Sequence, residues 1–234
     1  FSCFPPGDGV PQTILVRFVP AGQQLPASAI PSPLLLHANT FESSRNGIAI
    51  SGQRQVVISE NTMSRMRGDG IAVRGGATAT VRDNVLSDLG EAGVLVEGGA
   101  QALVTDNAIT NPRTWGVRVN EVDSSGTISR NVIRDAGMAG IEVSNGARAT
   151  LLRNDLPTSD NYGILVQGDG ASAAVWQNTL GPASTGIAVT DGAVATVDRN
   201  QVERVTGTGL LFHSAQVIVT GNTITGPVLD GVLP

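Results

Sequence analysis

Apolar and polar positions along this chain repeat at a fixed long interval. Asparagines at Asn39, Asn61, Asn84, Asn107, Asn131, Asn154, Asn178, Asn200 and Asn222 are separated by 22 to 24 residues. Eight or nine residues after each comes a glycine: Gly47, Gly70, Gly93, Gly116, Gly140, Gly163, Gly186, Gly209 and Gly231. Each glycine opens a short alternating segment, as in Gly70-Ile71-Ala72-Val73 and Gly140-Ile141-Glu142-Val143. Apolar residues two apart are the mark of a half-buried strand.

Aligning the repeats gives four aliphatic columns. Two lie in the glycine-led strand: Ile48, Ile71, Val94, Val117, Ile141, Ile164, Ile187, Leu210, and then Ile50, Val73, Val96, Val119, Val143, Val166, Val189, Phe212. A third lies just before the asparagine: Ile58, Val81, Val104, Ile128, Leu151, Val175, Val197, Val219, with small residues such as Ala79, Ala102, Gly126 and Ala149 two places earlier. The fourth follows the asparagine by two: Phe41, Met63, Leu86, Ile109, Ile133, Leu156, Leu180, Val202, Ile224. No run has the 3.6-residue period of an amphipathic helix, and the leucine-rich repeat spacing is absent. The pattern predicts an all-β solenoid, a parallel β-helix of eight to nine coils over residues 39–234. Strands stacked at about 4.8 Å make eight full repeats a rod of roughly 38 Å.

The asparagines are predicted to turn a corner, since Asn tolerates left-handed backbone, and to stack into an amide ladder. At the glycine column a side chain would obstruct the turn. A second corner is marked by Gly75-Gly76, Gly98-Gly99, Asn145-Gly146, Gly168-Asp169-Gly170 and Asp191-Gly192. Residues 1–38 hold seven of the twelve prolines. They read as a capping segment with one strand over 13–19, since the end of a solenoid exposes core and strand edge. The chain opens at Phe1 and stops at Pro234 inside the ninth glycine-led segment. That predicts either further chain in the native gene or an open last coil that meets another subunit.

On the Asn-x-(Ile/Val/Leu) and Gly-(Ile/Val)-x-(Val/Ile) pattern, residues 39–234 resemble the right-handed β-helix repeats of the pectate-lyase-like superfamily, in particular the short regular NosD-type coils. The resemblance, with the right-handed preference of parallel crossovers, implies a right-handed helix. It also implies an extracellular or cell-envelope setting, with oligosaccharide lying along an exposed sheet and carboxylates with Arg or Lys supplying acid, base or a calcium site.

Composition narrows the function. The formal net charge is −5, 15% of residues are charged, and all fifteen cations are arginines. An acidic chain without a basic face is no nucleic-acid binder. The longest apolar runs fall far short of a membrane span. Cys3 is the only cysteine and no Cys/His set has zinc spacing, so no cofactor is expected beyond the calcium that the resemblance admits.

Charge on the outward columns of the glycine-led strand gathers in the middle coils. Candidate catalytic residues are Arg118, Glu142 and Glu97; candidate substrate contacts are Arg74, Trp115, Asn120, Tyr162 and Gln167, with the two aromatics placed to stack on sugar rings. Alternating Arg and Glu on adjacent strands also pair irrespective of function. The Asp-Pro-His-Asp sequence of mannuronan epimerases is absent, and the segments between strands are too short to wall a groove. The leading expectation is therefore a non-catalytic module showing a flat face, partly apolar at Leu95, Leu165 and Leu211, to a polysaccharide, a surface protein or its own copies. A polysaccharide lyase, epimerase or hydrolase, and a spacer within a larger surface protein, are the alternatives.

Overall fold

Strands of two to six residues are stable only when neighbours satisfy their backbone groups, and here each repeat supplies the neighbour of the next. The computed structural model describes residues 14–15, 33–226 and 230–233. Its strands form three parallel sheets of ten, nine and nine members, and no helix occurs among the described residues. The coil from Gln101 to Asn120 shows the plan. Gln101–Thr105 enters the pre-asparagine sheet, Asn107 turns the corner, Ala108–Pro112 enters the post-asparagine sheet, and Trp115–Asn120 enters the glycine-led sheet. The expected stacking holds: Ile71, Val94, Val117 and Ile141 are successive register partners. The fold is a right-handed parallel β-helix.

The four aliphatic columns fill the core, with Val94, Val104, Ile109 and Val117 fully buried. Burying each such side chain contributes roughly 1.5–3 kcal/mol relative to exposure. The exceptions lie towards the C-terminus: Phe212 and Ile224 are only partly buried, and Val219, on the last strand of the pre-asparagine sheet with a strand neighbour on one side only, is 40% exposed. Two further inward columns accompany the four. One stands five residues after each ladder asparagine and includes Met66, Leu89, Ala136, Ser159 and Val205. The other, at the second corner, is almost all alanine: Ala77, Ala100, Ala147, Ala171 and Ala193.

The asparagine ladder is continuous from Asn39 to Asn222. Asn131 shows its bonding: its side-chain N–H donates to Asn154 Oδ1 at 3.0 Å and to the Val104 carbonyl at 2.9 Å. Its Oδ1 accepts from the backbone N–H and the side-chain N–H of Asn107. The asparagines, however, are not left-handed. The left-handed residue is the one before each of them, from Glu60 through Asp83, Asp106, Arg130, Arg153 and Gln177 to Arg199, at φ of 52° to 57°. The amide bonds offset the cost of about 1–2 kcal/mol that such a residue carries.

The glycine column serves close approach rather than turn geometry. A Cβ on Gly163 would stand 2.7 Å from the Gly186 carbonyl oxygen and closer still to a Leu180 methyl. True left-handed glycines sit at the second corner, as at Gly75 and Gly76. Towards the N-terminus, Leu34–His37 pairs in register with Val56–Ser59 and Ile14–Leu15 with Ile48–Ala49. Stacked strands thus begin earlier than Asn39. The rest of the capping segment, Cys3 and the remainder of the 13–19 strand lie outside the described residues.

Candidate functional site

The glycine-led strands present three outward columns. The first stands one residue before each glycine and runs Asp69, Ala92, Trp115, Ala139, Tyr162 through the middle coils. The second contains Leu95, Arg118, Glu142 and Leu165, and the third Arg74, Glu97, Asn120, Ser144 and Gln167, all set by the parallel register. This face is not the open apolar surface expected. Leu95 and Leu165 are buried, Leu95 with Ala72, Ala92 and Trp115, and Leu165 with Ala139, Ala188, Trp115, Tyr162 and Leu211.

The charged residues form two networks instead of one patch. In the first, Arg74 Nε donates to Glu97 Oε1 at 2.5 Å and its Nη2 to Asp69 Oδ2 at 3.1 Å. In the second, Arg118 Nε donates to Glu142 Oε1 at 3.1 Å while the guanidinium lies over Trp115, 4.0 Å from the ring centroid. Gln167 Nε2 reaches the same Glu142 oxygen at 3.4 Å. Asn120 joins neither network; its Oδ1 accepts from Ser144 Oγ and Asn145 Nδ2. Tyr162 packs in the apolar cluster around Leu165. Beside them, Thr114 Oγ1 and Trp115 Nε1 are buried without a hydrogen-bond partner.

Asp69 was missed from sequence, though its place before Gly70 is as regular as that of Trp115 or Tyr162. It is buried, and its Oδ1 accepts the Ala92 N–H at 3.2 Å. Burial pushes its carboxyl above the ordinary value of 3.8, against the opposing pull of the Ala92 N–H and the Arg74 charge. For Arg74, burial works against the charged form, but the Glu97 and Asp69 carboxylates outweigh it and hold the guanidinium above its ordinary value.

At the asparagine corner, Arg130 makes two bonds to Asp106, at 2.8 and 2.7 Å, and one to Thr105. The Arg130 bond, with help from Thr105, holds the Asp106 carboxyl below its ordinary value. Arg153 bonds Gln177. His213 is exposed, and His37 Nδ1 lies 3.9 Å from Glu60. Among the described residues no three His, Cys, Asp or Glu side chains converge as metal ligands, and no helix is long and apolar enough to cross a membrane.

A profile of the right-handed beta helix region matches residues 32–180. The chain belongs to that family. Among solved structures, this β-helix is similar to the catalytic unit of a thermostable GH87 α-1,3-glucanase from Streptomyces thermodiastaticus strain HF3-3. The TM-score is 0.70 at 18% identity, over 86% of this chain and 47% of the glucanase chain. The β-helix thus spans about half the length of that protein. The mannuronan C-5 epimerase AlgE4 A-module of Azotobacter vinelandii matches with a TM-score of 0.46 at 12% identity, over 85% of this chain and 76% of the other. PfbA, a surface adhesin of Streptococcus pneumoniae, matches with a TM-score of 0.46 at 10% identity, over 83% and 71%. A search of curated proteins finds no match. At these identities the likeness concerns the fold alone.

The register also sets what the carboxylates of the β-helix can do together. Glu97 and Glu142 are two rungs and two residues apart, about 12 Å between backbones, and Glu97 is bonded to Arg74, on the far side from Glu142. Glycosidic pairs need separations of about 5–5.5 Å or 6.5–9.5 Å. Asp69 and Glu97 do come together, on the one guanidinium of Arg74.

Proposed function

We propose that the chain is a non-catalytic β-helix module that binds polysaccharide outside the cell or in the cell envelope. The observation that carries this reading is the state of Glu142, which is 1% exposed and whose Oε1 is bonded to Arg118 and Gln167. A general acid or base must come within hydrogen-bond reach of the substrate atom it serves, and this carboxylate is closed off by its own sheet. Arg118 is likewise engaged, between Glu142 and Trp115. The exposed parts of Arg74, Trp115, Tyr162 and Gln167 are contacts that a glycan meets on this side.

The test is incubation with uronate polymers and neutral glucans, followed both for products and for retention on a glycan array. Retention without product is expected. Unsaturated or shortened product that disappears in Glu142→Gln at unchanged melting temperature overturns the reading.

A hydrolase is the second reading, favoured by one observation: the buried Asp69, with its carboxyl pushed up, shares Arg74 with Glu97. It predicts reducing ends released from a glucan and lost in Asp69→Asn.

A further inference from the structure

The pre-asparagine sheet faces solvent on the other side of the second corner, and its surface has the opposite character. Its inward side carries alanines, among them Ala102, Ala149 and Ala173, and along six successive strands its outer surface is a groove of about 610 Å³. Six rungs give that groove a length of about 24 Å along the rod. Most of its outward side chains are hydroxyls, with one amide, such as Thr127, Thr150, Ser172 and Gln101. None of these makes a side-chain hydrogen bond to the described residues, whereas the polar groups of the glycine-led sheet bond one another.

Arg148 lies in the fourth of the six strands. It is exposed, it is the one charged residue lining the groove, and it has no ion pair. Six of the nine large apolar side chains exposed among the described residues are on this sheet, including Leu103 and Val194 in the groove and Trp176 beside it.

We propose that this groove binds an extended acidic glycan lengthwise, with a carboxylate on Arg148, sugar hydroxyls on the threonine and serine ladder, and apolar sugar faces on Leu103 and Trp176. The proposal rests on the reading of the chain as a glycan-binding module and places a separate site on it. Charge complementarity selects the occupant, since an unpaired cation with no lining carboxylate favours an anionic partner. A second copy would set one concave face against another and leave a void between them. An added peptide strand needs a sheet edge, and these strands have both edges paired.

The test is affinity electrophoresis of the whole chain in gels containing polygalacturonate, hyaluronan or dextran, with the melting temperature of every variant measured. Retention by an acidic polymer at least about tenfold stronger than by dextran is expected, weakening as salt is raised. Arg148→Glu, and Ser172→Trp as a plug for the groove, each lower it about tenfold or more, while Thr110→Ala, exposed on the post-asparagine sheet, leaves it unchanged. Retention lost in Gln167→Ala but kept in both groove variants overturns the groove and leaves the module reading intact. Equal retention by dextran overturns the choice of an acidic ligand. No retention by any polymer overturns both readings.

Discussion

The outer faces of the glycine-led and pre-asparagine sheets are made by the same coils at the same rung spacing, yet one is closed on itself and the other is open. On the glycine-led face, Arg74, Arg118, Glu97, Glu142 and Asp69 bond among themselves and the leucines between them are buried. In the groove of the pre-asparagine face the hydroxyls are free, Arg148 has no ion pair and Leu103 and Val194 are exposed. The difference teaches that charge density alone is a poor guide to a site on a stacked sheet. Residues one rung apart find each other first, and the sparsely charged face is left with groups able to meet a partner.

The comparison breaks altogether if stacking fails. Asn131→Leu deprives Asn107 of the acceptor for two N–H groups and the Val104 carbonyl of a donor. At roughly 1–3 kcal/mol per buried unsatisfied group, the loss is about 4 kcal/mol, readable by chemical denaturation. Arg118→Ala comes next. It leaves the buried Glu142 with Gln167 alone and costs about 2–3 kcal/mol, and adding Glu142→Leu restores most of that, since an apolar pair tolerates the site.

Dependence on pH separates the glycine-led face from the asparagine corner by sign. The folded pKa of Asp69 is raised, so its favourable contribution is present below 3.8 and is lost as pH rises through the folded value. Asp69→Asn removes that fall. For Asp106 the folded pKa is lowered, so its contribution is present above 3.8 and is lost as pH falls through the folded value. Asp106→Asn flattens the curve on that acid side. Denaturation series across pH read both slopes, and slopes of the same sign would contradict the assignment. The smallest effect is at Arg148, where replacement by Ala changes stability by no more than about 0.5 kcal/mol although it weakens the proposed glycan contact.

The fold was legible because the asparagine and glycine offsets are nearly constant and the aliphatic columns are chemically uniform. The inward column at Met66, Leu89, Ala136 and Ser159 has an equally fixed offset, but its mixed side chains hid it. The ladder itself was legible as well. That the residue before each asparagine takes the left-handed turn was not, because Glu, Arg and Gln at those positions carry no conformational signature. Sequence brought Arg74, Glu97, Arg118 and Glu142 to one patch, which the structure divides, Arg74 and Glu97 with Asp69, and Arg118 and Glu142 with Trp115 and Gln167. It gave no sign that Leu95, Leu165 and Glu142 are shut off, since outward direction along a strand says nothing about what the neighbouring side chains cover.

The asparagine row has a sense of direction: every amide hands its hydrogen to the one that follows. Each stretch from one ladder asparagine to the next is therefore an interchangeable part with a socket above and a plug below. Duplicating residues 107–130 in tandem would lengthen the rod by about one strand spacing, 4.8 Å, with every socket still filled, whereas splicing in a coil that lacks its amide would interrupt the row at a single joint.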